Sequence, residues 1–78
     1  FRRMDKRIGE FLFDRYRKYG SELKITHQEI ALELGSAREV VSRILKEFEQ
    51  QGKIKQSRGI IQVCRPEDLR KERYGTPE

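Results

Sequence analysis

Four polar side chains that lie close together in the sequence have the chemistry needed to recognise nucleic-acid bases. They are Arg38, Glu39, Ser42 and Arg43. An Arg side chain can donate to guanine O6 and N7 at once, and a Glu side chain can accept from cytosine N4. On an ideal helix, at about 100° per residue, the four side chains share one face. The pattern indicates a helix face that could recognise bases, and an ordinary solvated face is the alternative.

The opposite face of the same predicted helix is apolar. A helix from about residue 37 to residue 51 would bury this face and leave the polar one, with Lys46, exposed. The polar face begins at the N-terminus of the helix, which is the end that a helix-turn-helix inserts into the major groove. This position favours base recognition over a solvated face. The apolar side chains are Val40, Val41, Ile44, Leu45 and Phe48.

The residues before this helix carry signals for a helix pair joined by a sharp turn. Thr26 is followed three residues later by Glu29, and Ser36 is followed three residues later by Glu39. Both spacings fit a capping box, in which a hydroxyl and a Glu carboxylate satisfy free backbone N–H groups at a helix start. Gly35 lies between them and can end the first helix in a left-handed conformation. These features predict a helix-turn-helix.

The helix-turn-helix is placed at residues 26–45, with its first helix at about 27–34. A longer helix at about 6–19 precedes it, and Asp5 is expected to cap its start. Apolar residues recur along this helix at three- and four-residue steps, so it is predicted to pack beneath the helix-turn-helix. The apolar stripe consists of Met4, Ile8, Phe11, Leu12, Tyr16 and Tyr19.

The residues after the helix-turn-helix change from helical spacing to β-branched runs. Gly52 is expected to end the second helix, and residues 53–63 predict a β-hairpin, or wing, with a polar turn at 56–59. Residues 23–25 predict a short edge strand. Pro66 suits the first turn of a short last helix.

These elements predict a mainly α fold with a small β wing. It is a winged helix-turn-helix with a three-helix core, a β-hairpin and a short C-terminal helix, and it forms one domain across residues 1–78. Residues 75–78 are expected to fray. Because the chain begins with Phe1 rather than Met, we expect it to be part of a longer protein. Charged residues make up 40% of the sequence, but the regular apolar spacing argues against disorder.

The charge balance favours a polyanionic partner. Lys and Arg outnumber Asp and Glu by 18 to 13, which gives a net charge of +5 and a pI near 9.7. Cys64 is the single cysteine, so no internal disulfide can form and the cytoplasm is the default compartment. The sequence has no apolar run long enough to span a membrane and no signal peptide.

From residue 25 to residue 45 the sequence resembles the helix-turn-helix of the Crp/Fnr family of bacterial transcription regulators. Three motifs carry the resemblance: Thr-x-x-Glu-Ile at the start, Leu-Gly at the turn, and Arg-Glu-x-x-Ser-Arg-x-Leu in the second helix. The resemblance continues through the wing and, more loosely, into the first helix. It implies a sequence-specific, double-stranded-DNA-binding domain that follows a β-roll sensor domain and a long dimerising helix.

The resemblance also implies roles for individual residues. Arg38, Glu39 and Arg43 match the family's base-recognising trio, and Ser42 matches a serine that contributes in the Fnr-like branch. A TGTGA-like half-site would fit two arginines and a Glu. The family often has Arg where His27 stands, so a structural or solvated role for His27 is equally plausible. Helix N-termini and basic side chains favour phosphates, and the expected phosphate contacts are Thr26, His27, Gln28, Ser36, Lys46 and Arg58.

The implied partners follow from the family. The full-length protein is expected to be a homodimer and this chain alone a monomer, and RNA polymerase is a further partner if the protein is an activator. We expect no cofactor in this chain and no membrane partner. A winged helix used for protein contact is the alternative, although the exposed face of residues 38–46 offers no aromatic or aliphatic anchor for a protein partner. The sequence shows no phosphate loop, nucleophile–base pair or metal cluster, which argues against an enzyme.

Overall fold

A computed structural model describes residues 2–70 of the chain. The expected fraying of residues 75–78 lies outside this range. Seven elements follow one another, and their order confirms the predicted winged helix-turn-helix. They are α1 (Arg2–Tyr19), β1 (Glu22–Leu23), α2 (His27–Leu34), α3 (Arg38–Gln50), β2 (Ile54–Ser57), β3 (Ile60–Val63) and α4 (Pro66–Arg70).

The first helix begins earlier than predicted. Asp5 was expected to cap it, but α1 already starts at Arg2 and places Asp5 in its first turn. Arg2, Arg3 and Met4 are good helix formers, so nothing in them stops the helix. A carboxylate in the first turn still interacts favourably with the helix dipole. None of the helices within residues 2–70 is long and apolar enough to cross a membrane.

The wing belongs to a three-stranded antiparallel sheet rather than to an isolated hairpin. The strand order is β1-β3-β2, so the predicted edge strand is present, at Glu22–Leu23 instead of residues 23–25. Ser57 pairs with Ile60, which leaves a turn of only two residues where four were predicted. Gly59, the second residue of this turn, has φ of +69°, a left-handed conformation that glycine adopts without steric cost.

The core lies where α1, α2 and α3 meet the sheet. The predicted apolar face of α3 supplies four buried residues, while Val40 is only partly buried. From α1, Ile8 and Leu12 are completely buried. The four from α3 are Val41, Ile44, Leu45 and Phe48, and the other core residues are Leu23, Ile25, Ile30, Ala31, Ile54, Ile61, Val63 and Leu69.

A glycine allows the last helix to pack directly on the first. Gly9 is buried within α1, and a methyl group at this position would overlap the main-chain carbonyl oxygen of Leu69. Leu69, in α4, is 5% exposed and belongs to the core. The close approach of α1 and α4 therefore requires a residue without a Cβ at position 9.

Candidate nucleic-acid interface

The start of α2 carries the predicted capping box. Thr26 Oγ1 accepts from the backbone N–H of Glu29 at 3.1 Å, and Glu29 Oε1 accepts from the backbone N–H of Thr26 at 2.9 Å. The side chains of both residues thus satisfy amides at the helix start, and the helix begins where the sequence predicts. Thr26 is exposed, so its side chain can still reach a phosphate. Because phosphate oxygens accept hydrogen bonds, such a contact would use the hydroxyl hydrogen as donor.

The turn between α2 and α3 is held by backbone hydrogen bonds and by one side chain from α1. Gly35 has φ of 67° and ψ of 39°, and the backbone N–H of Ser36 donates to the Ala31 carbonyl at 2.9 Å. Arg7 Nη2 donates to the Leu34 carbonyl at 3.1 Å, so α1 satisfies a free carbonyl at the end of α2. The turn fixes the direction in which α3 leaves.

The start of α3 lacks the second capping box, so that prediction is wrong. Ala37, not Ser36, is the N-cap residue, and it makes no side-chain cap hydrogen bond. The reason is that the Ala37 carbonyl accepts the first helical bond, from Val41 N at 3.2 Å, which places Ser36 one residue outside the helix. Glu39 lies in the first turn and is exposed, so its carboxylate is not engaged in a capping box.

The polar face of α3 points away from the core. Arg38, Glu39, Arg43 and Lys46 are exposed, and Ser42 is half-buried on the same face. The helix spans Arg38–Gln50, one residue shorter at each end than predicted, with Gln51 as its C-cap. Because the opposite face is buried in the core, the helix cannot rotate, and these polar side chains face outward together.

The predicted phosphate contacts outside α3 differ in their exposure. Gln28, on α2, and Arg58, in the wing turn, are exposed, while Ser36 is half-buried in the turn before α3. Exposed basic and amide side chains of this kind are suited to phosphate oxygens.

His27 has a structural role that the sequence left open. Its Nδ1 lies 2.7 Å from Ser42 Oγ, and its Nε2 lies 2.6 Å from Gln56 Oε1. Gln56 in turn donates to Glu49, from its side chain at 3.1 Å and from its backbone N–H at 3.3 Å. We call these four residues, His27, Ser42, Glu49 and Gln56, the His27 network.

The His27 network connects α2, α3 and β2, and sequence reasoning missed Gln56 and Glu49 as members. The sequence predicts Gln56 in a turn, whereas it is a half-buried residue of β2. One signal was present: Ser42 and Glu49 are seven residues apart, so they lie on one face of α3 two turns apart. No spacing in the sequence links them to His27 or Gln56, because those contacts cross between elements.

Comparisons with known proteins agree with this geometry. Residues 6–72 match the family model for the Crp-like helix-turn-helix domain. A solved structure from Eubacterium rectale, described as a transcriptional regulator of the Crp/Fnr family, is similar with a TM-score of 0.77 and 46% identity. The alignment covers 85% of this chain and 32% of that one.

Two structures from Thermus thermophilus are also similar. The catabolite activator protein has a TM-score of 0.77 and 27% identity over 83% of this chain and 31% of that one. A Crp/Fnr-family transcriptional regulator has a TM-score of 0.66 and 26% identity over 87% of this chain and 41% of that one. The chain thus spans about a third of the length of these proteins. No curated protein matches the sequence significantly.

Proposed function

The chain belongs to the family of Crp-like helix-turn-helix domains, and on that premise we propose that it binds double-stranded DNA sequence-specifically with α3 in the major groove. Its role would be that of the DNA-binding domain of a transcription regulator. The observation that carries the proposal is the polar face of α3. This face is exposed at the N-terminal half of a helix whose other face is locked into the core.

Base choice is assigned to the residues of that face. Arg38 and Arg43 would donate to guanine edges, and Glu39 would accept from a cytosine amino group. Because Glu39 does not cap α3, it does not have to leave a cap in order to reach a base. A TGTGA-like half-site fits these three side chains.

Affinity is assigned mainly to phosphate contacts. The net charge of +5 favours association with the backbone, and each phosphate that a cation neutralises adds to the salt dependence of binding. Arg58 and Lys46 are exposed and can supply such cations, and the start of α2 presents backbone N–H groups beside Gln28.

The assembly is a proposal that extends beyond this chain. The similar solved proteins are about three times longer, so the remaining length would supply the sensor and the dimerising helix. Two copies would then contact half-sites about 34 Å apart, one turn of DNA. We place the protein in the cytoplasm, with RNA polymerase as a partner if it activates transcription.

Protein contact is the competing function, and the surface of α3 gives it little support. The large hydrophobic side chains that residues 4–69 leave well exposed are Tyr19 and Leu32, which lie on α1 and α2. A protein-binding helix would be expected to carry such anchors on its own exposed face.

The test compares Arg43→Ala with Arg17→Ala, which removes the same charge from an exposed site on α1. Binding is measured by fluorescence anisotropy at low salt on a preferred duplex and on variants with single base changes. Arg43→Ala should cost about 1–3 kcal/mol on the preferred duplex and reduce base discrimination at one position. Arg17→Ala should change binding little, and equally for all duplexes.

Two results would contradict the proposal at different levels. An equal loss on every duplex for Arg43→Ala would make Arg43 a phosphate contact and remove it from base recognition. The absence of binding to any duplex at low salt would reject DNA binding and favour the protein-contact function.

A further inference from the structure

Ser42, on the polar face of α3, lies at one end of the His27 network. A serine hydroxyl can donate or accept, so serine alone is an ambiguous base contact. In this structure Ser42 is bonded to His27, and His27 is bonded in turn to Gln56. The consequence for base choice rests on the proposed function, in which α3 contacts base edges.

The direction of each hydrogen bond follows from Glu49, which begins the network. An ionised carboxylate only accepts, so Gln56 must present its side-chain N–H to Glu49 Oε1, as the 3.1 Å contact requires. The backbone N–H of Gln56 donates to Glu49 Oε2 at 3.3 Å. These two bonds fix the orientation of the Gln56 amide and turn its oxygen toward His27.

The tautomer of His27 follows from the Gln56 oxygen. An amide oxygen only accepts, so His27 Nε2, 2.6 Å away, must carry the hydrogen. In a neutral imidazole the other nitrogen, Nδ1, then has a lone pair and accepts. The Ser42 hydroxyl, 2.7 Å from Nδ1, must therefore donate to it.

Ser42 thus donates its only hydroxyl hydrogen to His27. Its oxygen keeps lone pairs, and because the side chain is half-buried on the polar face of α3, these remain for a base to reach. Ser42 lies one turn after Arg38 on the same helix, within the segment assigned to base recognition.

We propose that His27 and Gln56 are positioning residues that make Ser42 an obligate hydrogen-bond acceptor, so that it selects a base with a major-groove amino group. Cytosine N4 and adenine N6 provide such a group, whereas guanine and thymine present only acceptors at their major-groove edges. Ser42 therefore favours cytosine or adenine over guanine or thymine at the position that it contacts.

The binding test varies each base pair of the preferred half-site singly and measures affinity at about pH 8.5, because alkaline conditions favour the neutral form of an imidazole. The position at which Ser42→Ala loses discrimination identifies the contacted base. There the unaltered chain should bind the cytosine or adenine duplex roughly two- to tenfold more tightly than the guanine or thymine duplex.

His27→Phe frees the Ser42 hydrogen, so the preference at that position should fall to about one or reverse. Gln56→Ala removes the acceptor that holds the hydrogen on His27 Nε2, so it should reduce the same base preference. Ser57→Ala removes an exposed hydroxyl from the same strand as Gln56, outside the network, and should leave the preference unchanged. Circular dichroism of each variant verifies that it is folded.

An independent measurement needs neither DNA nor a variant. His27 is the single histidine of the chain, so its ring nitrogens give unambiguous ¹⁵N signals by NMR. The Nε2–H tautomer is expected, and the Nδ1–H tautomer would overturn the inference. A preference that His27→Phe leaves intact, while Arg43→Ala still reduces discrimination, would overturn it without affecting the proposed function. A chain that binds no duplex would reject both.

Discussion

The two helices of the helix-turn-helix start in opposite ways, although the sequence marks both starts with the same spacing. At α2, Thr26 and Glu29 bond to each other's backbone and close the end of the helix. At α3 the corresponding pair, Ser36 and Glu39, forms no box, and the N-cap is Ala37. The first start is stabilised by its own side chains, whereas the Glu39 carboxylate takes no part in a cap at the second.

The difference separates stability from recognition. Glu29 serves the fold, while Glu39 lies on the face that we propose contacts bases. A carboxylate turned back into a cap could not extend into a groove, so the missing box at α3 is compatible with base recognition. The turn before α3 is instead stabilised by Gly35, at the end of α2, and by the hydrogen bond from Arg7 on α1 to the Leu34 carbonyl.

The strongest test exchanges the two carboxylates for alanine. Glu39→Ala should change affinity for the preferred half-site by about 1–3 kcal/mol and relax the choice of base, with little change in the free energy of unfolding. The matched variant, Glu29→Ala, should lower the free energy of unfolding and leave base choice unchanged, because it removes the reciprocal half of the capping box. Anisotropy titrations and urea denaturation measure the two quantities. If both variants lost stability and kept base choice, the two helix starts would be equivalent.

A smaller effect is expected from the hydroxyl that caps α2. Thr26→Ala should lower the free energy of unfolding by about 1 kcal/mol, since an N-cap hydroxyl typically contributes that amount. For a domain of this size the melting temperature should fall by roughly 4–8 °C. Thermal denaturation followed by circular dichroism measures the change. An unchanged melting temperature would mean that the capping box adds no net stability.

The smallest effect is expected at the matching position before α3. Ser36→Ala should change the free energy of unfolding by less than about 0.5 kcal/mol, because Ser36 lies outside the helix and caps nothing. Its backbone N–H, which bonds to Ala31, is retained in the variant. A loss as large as that of Thr26→Ala, in the same denaturation experiment, would show that a second capping box forms in solution.

Local signals allowed the sequence to predict much of the fold. The bounds of α2 were predicted because Thr26 and Gly35 each determine a helix end by nearby backbone bonds. Spacing could not identify the start of α3, because it does not show which carbonyl accepts the first helical bond. The start of α1 was missed because no residue before Asp5 opposes a helix.

Contacts between distant residues account for what the sequence did not show. The pairing of β1 with β3 joins Leu23 to Ile61, and no pattern in either segment specifies the other. The His27 network similarly joins side chains that are 15 and 29 residues apart. The exposed side chains of α3 were predictable from the helical wheel, but the hydrogen bond that sets the donor or acceptor state of Ser42 was not.

The contact between Gly9 and Leu69 has a consequence for the timing of folding. About 60 residues separate the two positions, and synthesis adds roughly 5–20 residues each second. Roughly 3–12 seconds therefore pass between the synthesis of the face of α1 that contacts α4 and the synthesis of α4 itself. Throughout this interval the nascent chain carries an uncovered helix face beside Gly9. Among the helices described here, α1 is therefore the first to be synthesised and one of the last to have its packing completed.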